Sequence, residues 1–367
     1  MYWEEQTTGA SRRSLADWPC RIWSNLDLNL SIGEFVQLTI RPFCNTDLQA
    51  VCEIWNRHHA ADGKFTAVQP ARMELYVQAK TYFDPSHLLI AWQDREPVGL
   101  IHLTAIPQVS LQAADDQLLG VAAMCVVPDP QSCQIADQLL SAAEAIATRA
   151  GFERIVFRPA LPYCSFYLGL GLADSLAGTM SNEQQVCHWL SAAGYQPQLP
   201  TTLWELELPT FRAPSDRTQM VVRRKTFVER QLQEPELPWW QACVLGHTEV
   251  QAFHLTDRNE KRELQEAVVW SIASALANQP EQVAWLWPPT LDELAPTSNA
   301  ETTPADRLLF LLAEAFRQLI AEQIDVVRTV TPSESQKLVS IYSRLGFKSV
   351  GSGMVYAKSF RSGQIGN

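Results

Sequence analysis

Residues 126–140 of this chain read VVPDPQSCQIADQLL: the end of an apolar strand, a Pro-Asp-Pro turn and the opening of a helix. A turn of this kind aims several backbone N–H groups at one point beside the positive end of the helix, which is how a chain holds an anion without a cationic side chain. The groups on offer are Gln131, Ser132, Cys133, Gln134, Ile135 and Ala136, with Val126 and Val127 closing the strand. Glycine at 134 would let backbone and anion approach closely, and glutamine does not. Gln131 brings no charge, so a plain capped turn explains the same residues equally well. A second stretch, residues 333–347, SESQKLVSIYSRLGF, carries the phenol of Tyr342 on a helix face with Leu338, Ile341 and Leu345. By itself such a tyrosine is more often core than catalyst. His58 and His59 are adjacent in a helical stretch and do not share one face, so no metal pair is expected. The eight cysteines have no Cys-x-x-Cys spacing, which points to free thiols rather than zinc ligands or disulfides.

The elements around these groups can be read from periodicity. Alternation predicts a strand over 35–42, with Asn45-Thr46-Asp47 capping a helix over 48–59 and Pro70 opening another over 71–83. Strands are expected over 87–92, 97–105 and 118–127, then the helix over 135–149 closed by Gly151, and a buried strand over 154–157. Residues 182–195, NEQQVCHWLSAAGY, repeat the pattern of the later helix: Leu190, Gly194 and Tyr195 stand where Tyr342, Gly346 and Phe347 stand, and each segment precedes a strand. The inserted segment 160–178 includes Tyr167, expected in a packed aromatic loop. The Pro/Ser-rich stretch 209–217 reads as a linker. Beyond it strands are expected over 219–228, 249–255, 267–275, 283–287, 324–330 and 349–357. Helices are expected over 305–322 and from Ser333, as N-cap, to Gly346.

At 367 residues two domains are the default, since one core rarely grows past about 300 residues. The expected division is an extension over 1–35 whose tryptophans pack on the body, domains over 36–208 and 218–360, and the linker between them. The net charge of −11 disfavours nucleic acid and anionic membranes as partners. No signal-like N-terminus or long apolar run stands out, and the location expected is cytoplasmic.

The order of elements, with the turn at 126–140 and the Tyr-x-x-Leu-Gly-Phe helix, resembles the GNAT N-acetyltransferase superfamily. Pro128, Gln131, Ala136, Leu139 and Leu140 fit its pyrophosphate-loop pattern, and Tyr342, Leu345, Gly346 and Phe347 fit its C-terminal helix. The resemblance implies a mixed α/β (α+β) fold of two tandem GNAT-like units, each a mixed sheet flanked by helices, with mycothiol synthase as an architectural parallel. It also implies acetyl-CoA as co-substrate, no metal, and direct attack of a small-molecule or peptide amine on the thioester. The carry-over assigns the pyrophosphate to Val126, Val127 and residues 131–136, the acid to Tyr342, and the base to Asp292 or Glu293. The sites divide: the first half has Leu190 at the tyrosine position, and the second lacks the loop. A degenerate unit that binds or regulates without turnover remains the alternative, and a solvated loop pair explains Asp292 and Glu293 more readily than a base.

Overall fold

The computed structural model describes residues 28–29, 38–60, 67–106, 118–164, 166–170, 174–231, 237, 239–272, 282–289 and 302–360. The expected extension over 1–35, with Trp3, Trp18 and Trp23, lies almost wholly outside them.

The first half runs β1 (Leu28–Asn29), β2 (Leu38–Pro42), α1 (Leu48–His59), α2 (Pro70–Met73), β3 (Leu88–Gln93), β4 (Glu96–Ala105), β5 (Leu118–Val126), α3 (Ser132–Arg149), β6 (Arg154–Phe157), β7 (Thr179–Met180), α4 (Gln184–Ala192) and β8 (Gln196–Glu207). The second half runs α5 (Arg217–Lys225), β9 (Thr226–Arg230), α6 (Trp239–Leu245), β10 (Glu249–Asp257), β11 (Glu263–Ser271), β12 (Val283–Leu286), α7 (Pro304–Ala321), β13 (Val326–Pro332), α8 (Gln336–Leu345) and β14 (Lys348–Ser359). No helix among the described residues is long and apolar enough to cross a membrane.

Two expectations change. The stretch 219–228 is the helix α5 followed by a short strand, not one strand. Asp216 caps α5 by accepting from the Gln219 N–H, and the run Arg223-Arg224-Lys225 closes its last turn, where cations meet the negative helix end. The second helix of the first half is only Pro70–Met73 before it widens into a π-helical turn, Glu74–Gln78.

One sheet runs through the chain in the order β1-β2-β3-β4-β5-β6-β14-β8-β13-β12-β11-β10-β9, with β7 paired to β14. β5 pairs with β6, and β12 with β13, in parallel. The two halves exchange their last strands. β8 follows the first-half helix α4, yet it pairs along β13 from Val326↔Glu207 to Pro332↔Thr201. β14 follows α8 and pairs back onto β6, from Tyr356↔Phe157 to Ser359↔Arg154. The halves are therefore interlocked at the centre of the sheet.

The repeated helix endings have the same geometry. Gly346 (φ +90°) ends α8, with the Phe347 N–H bonded to the Tyr342 carbonyl and the Gly346 N–H to that of Ser343. Gly194 (φ +83°) ends α4, with Tyr195 bonded to Leu190 and Gly194 to Ser191. This left-handed closure requires glycine and turns the chain back onto the sheet. The N-cap of α8 is Ser335 rather than Ser333.

Four apolar clusters fill the faces. α3 and α4 cover one face of the first half with Ile135, Leu139, Ile146, Trp189 and Leu190, and α1, α2 and the segment after α2 cover the other with Ile54, Trp55, Met73 and Tyr76. α7 and α8 cover the second half with Leu308, Leu312, Phe316, Leu338 and Tyr342. A fourth cluster joins the halves: Leu161, Cys164 and Leu168 pack with Val244, Trp270 and Trp285. Lys80 adds a polar tie. Its buried ammonium donates to the carbonyls of Val244 (2.6 Å), Gly246 (3.3 Å) and Cys243 (3.4 Å) at the end of α6, and burial pulls its pKa down to about 8.

Candidate active site

The parallel pair β5/β6 does not run to the end of β5. The last pair is Val121↔Phe157, and the Arg158 N–H closes on the Val121 carbonyl at 2.8 Å. β5 continues to Val126 while the other chain turns away, so a gap opens between two splayed strands. The Val127 N–H bonds to Val98 on β4. By alternation, Val126 presents its N–H and C=O to the gap side, as does Met124.

A small cavity sits in this gap, lined by Trp55, His59, Ala123, Arg158, Phe166 and Tyr167 among others. Tyr167 stacks on Trp55 with centroids 4.8 Å apart, and its hydroxyl lies 2.9 Å from His102 Nδ1. Burial holds the imidazole neutral, with its pKa lowered to about 3, and raises that of the phenol. Tyr167 comes from the inserted loop, and the structure puts it on the cavity wall. Its signal in the sequence was only an aromatic, Gly-rich run.

Side chains of the chain itself occupy the gap edge. Arg158, in a left-handed conformation (φ +44°), is buried, reaches toward the Met124 carbonyl at 3.5 Å and is ion-paired to Glu183. Glu183 also accepts from the Met180 N–H at 2.7 Å. His58 Nδ1 lies 2.9 Å from the Val126 carbonyl and 3.3 Å from its N–H. No spacing rule singles out Arg158 or Glu183, which are 25 residues apart and meet only through the splay.

The turn from β5 to α3 lies at the end of the gap. Its N–H groups are largely used within the turn: Gln131 donates to Asp129 Oδ1 (2.8 Å), Ser132 to the Asp129 carbonyl (3.0 Å), and Gln134 and Ile135 to the Gln131 carbonyl (2.9 and 3.0 Å). The Cys133 N–H has no acceptor among the described residues. Ser132 is buried and accepts from Gln185 on α4, while Gln131 accepts from Gln93. Ile135 and Ala136 face the core, and Val126 and Val127 are buried at the strand end. The Asp129 carboxylate thus stands beside the helix end, where an anion would also be drawn.

Tyr342 lies in another core, packed by Trp204 and Phe347 with centroids 6.3 and 5.1 Å away. It is fully buried. Burial raises its pKa, opposed by the nearby Thr329 hydroxyl, although neither hydroxyl completes a hydrogen bond of standard geometry. Thr329 follows Arg328, the last residue of β13 in the parallel register with β12. The strand exchange therefore does not unite Tyr342 with the turn at 131–136; the two stand in separate halves. Asp292 and Glu293 lie outside the described residues. At the start of α7, Thr303 and Asp306 cap each other, the Asp306 carboxylate taking the Thr303 N–H.

Residues 49–171 match the family model described as Acetyltransferase (GNAT) family. No curated protein sequence matches the chain. Among solved structures, a tandem GNAT protein from the clavulanic acid biosynthesis pathway is similar over 89% of this chain and 99% of its own, at 12% identity and TM-score 0.59. A GCN5-related N-acetyltransferase from Sphaerobacter thermophilus is similar over 89% and 96%, at 12% identity and TM-score 0.56. Saccharomyces cerevisiae N-myristoyltransferase, solved with bound myristoyl-CoA, is similar over 92% and 82%, at 10% identity and TM-score 0.54. At these identities the likeness is one of fold.

Proposed function

We propose that this chain, two tandem GNAT-fold units with a match to the acetyltransferase family over residues 49–171, moves an acetyl group from acetyl-CoA to an amine, using the gap of its first half. The observation that carries the reading is the splay after Val121↔Phe157, with a cavity inside it and the end of α3 beside it. Acetyl-CoA supplies an activated acetyl group as a thioester. The chain supplies the strand edge of Met124 and Val126 for the arm of the co-substrate. It supplies Val127 and residues 131–136, the Cys133 N–H above all, for the pyrophosphate. The strand-edge role requires Arg158 and His58 to yield the Met124 and Val126 groups they hold. The cavity wall supplies Tyr167 as a proton donor for the leaving thiolate. The acceptor, a small-molecule or peptide amine, approaches from the α1 side.

A second reading rests on Tyr342. Its buried hydroxyl without a standard partner, beside Thr329 where β12 and β13 part, suits the acid of a second-half site, with Asp292 or Glu293 as base.

Thiol release from acetyl-CoA, monitored with a panel of amines, tests both. The first reading expects turnover in Tyr342→Phe and a loss of at least tenfold in Tyr167→Phe, and the second expects the reverse. No thiol release with any amine, in a protein that binds acetyl-CoA, supports the binding module instead.

A further inference from the structure

His58 and His59 on α1 and Cys125 on β5 bring their potential ligand atoms within 4.8 Å of one another. Consecutive helix residues point about 100° apart, so the sequence argues against this pair. The end of α1 overcomes it by crossing the edge of β5: the two rings meet edge to face, centroids 4.7 Å apart, and His59 Nε2 lies 3.9 Å from Cys125 Sγ. In a tetrahedral zinc site, Zn–S near 2.3 Å and Zn–N near 2.0 Å put sulfur and nitrogen about 3.5 Å apart. The observed separation is within a few tenths of an ångström of that.

The His58 ring supplies an independent observation. Its Nδ1 lies 2.9 Å from the Val126 carbonyl and 3.3 Å from the Val126 N–H, so the Val126 backbone fixes the orientation of the ring. In the tautomer that donates Nδ1–H to that carbonyl the lone pair is on Nε2, the arrangement that orients metal-ligating histidines. Burial is the larger influence on the Cys125 thiol and pushes its pKa up to about 12, against a smaller lowering by the nearby Arg158. Its charge is matched by Glu183.

We propose that His58, His59 and Cys125 form a binding site for a soft divalent cation, zinc(II) by preference. Two imidazole nitrogens and one thiolate make three of the four ligands, and the fourth position falls to water or a small anion from the cavity that His59 lines. Binding forms a Zn–S bond and releases the thiol proton of Cys125 to solvent. The site does not depend on the acyl-transfer reading, and it stands at the Val126 edge of the same gap.

The test is cobalt(II) titration of the full chain after treatment with a chelator, monitored by the near-ultraviolet thiolate-to-cobalt band and its displacement by zinc. The expected result is one equivalent of bound metal, the band abolished in Cys125→Ser and retained in Cys133→Ser and Cys44→Ser, whose thiols are exposed. His58→Ala, at a half-exposed position, is expected to weaken cobalt at least tenfold, which keeps the test valid should Cys125→Ser not fold. No thiolate band in the wild type, a band lost with Cys133 or Cys44 instead, or full affinity in His58→Ala overturns the proposal.

Discussion

Arg158 and Glu183 form an ion pair across the mouth of the first-half gap, joining the end of β6 to the start of α4. The guanidinium is almost wholly buried, while the carboxylate is partly open to solvent. Removing one partner of a buried pair leaves the other charge without compensation, at about 3–5 kcal/mol. Glu183→Gln, which strands the buried guanidinium, is therefore expected to lower stability by about this much, and Arg158→Ala by less, because the carboxylate it leaves is partly open to solvent and still accepts from the Met180 N–H. Urea unfolding measures both. A midpoint unchanged in Glu183→Gln contradicts the buried pairing.

The Asp129 carboxylate competes for the end of α3. Asp129→Asn keeps an oxygen for the Gln131 N–H and removes the charge. A carboxylate near a helix N-terminus interacts by about 0.3–1 kcal/mol, so the substitution is expected to tighten acetyl-CoA binding by up to about fivefold. Equal or weaker binding, measured by calorimetry, places the pyrophosphate elsewhere.

Buried histidines make the fold sensitive to acid: His59 and His102 most strongly, and His87, also lowered by burial, in the same direction. The pKa of His59 is lowered to about 2, by burial first and then by His58 and Arg158, and that of His102 to about 3, by burial first. Both folded values lie below the ordinary 6.5. The unfolded chain therefore binds protons first, and stability complete above about pH 6.5 is lost as the pH falls toward the folded values. The slope is about 1.4 kcal/mol per pH unit for each residue, or about 2–3 kcal/mol in all between pH 7 and 5.5. His102→Asn is expected to lessen the fall in urea stability over that range by about 1 kcal/mol. A flat profile in the wild type contradicts neutral burial.

The exchanged strands predict that neither half folds alone. Residues 36–208 lack β14, which leaves β6 and Phe157 without their antiparallel partner. Deletion of residues 348–360 is expected to raise amide exchange at 154–157 in the first half as well as at β8. Protection at 154–157 equal to that of the full chain contradicts the exchange.

Local pattern carried much of this fold. The spacing of Leu338, Ile341, Tyr342 and Leu345, with a glycine that must be left-handed, specifies α8 and its ending, and the same logic at Gly194 specifies α4. Each ending leads into a strand, and nothing local tells β8 from β14 which neighbour to take. The exchange is decided by tertiary pairing. The stretch 219–228 misled because Met220, Val221, Val222 and Phe227 suit either period over so short a run. The capping Asp216 and the closing cations were the better signal. At the candidate site the turn at 131–136 was legible because its elements are contiguous. The Arg158–Glu183 pair, Tyr167 with His102, and His58 and His59 beside Cys125 were not, because strand splay and helix crossing bring them together from distant positions.

The most direct test of the central claim is calorimetric titration of the full chain with acetyl-CoA, repeated on Gln134→Glu and Tyr342→Phe. Binding is expected to the wild type and to Tyr342→Phe, with a loss of at least tenfold in Gln134→Glu, which adds a negative charge in the first turn of α3. Binding that survives Gln134→Glu unchanged, or no binding at millimolar concentration, contradicts the claim.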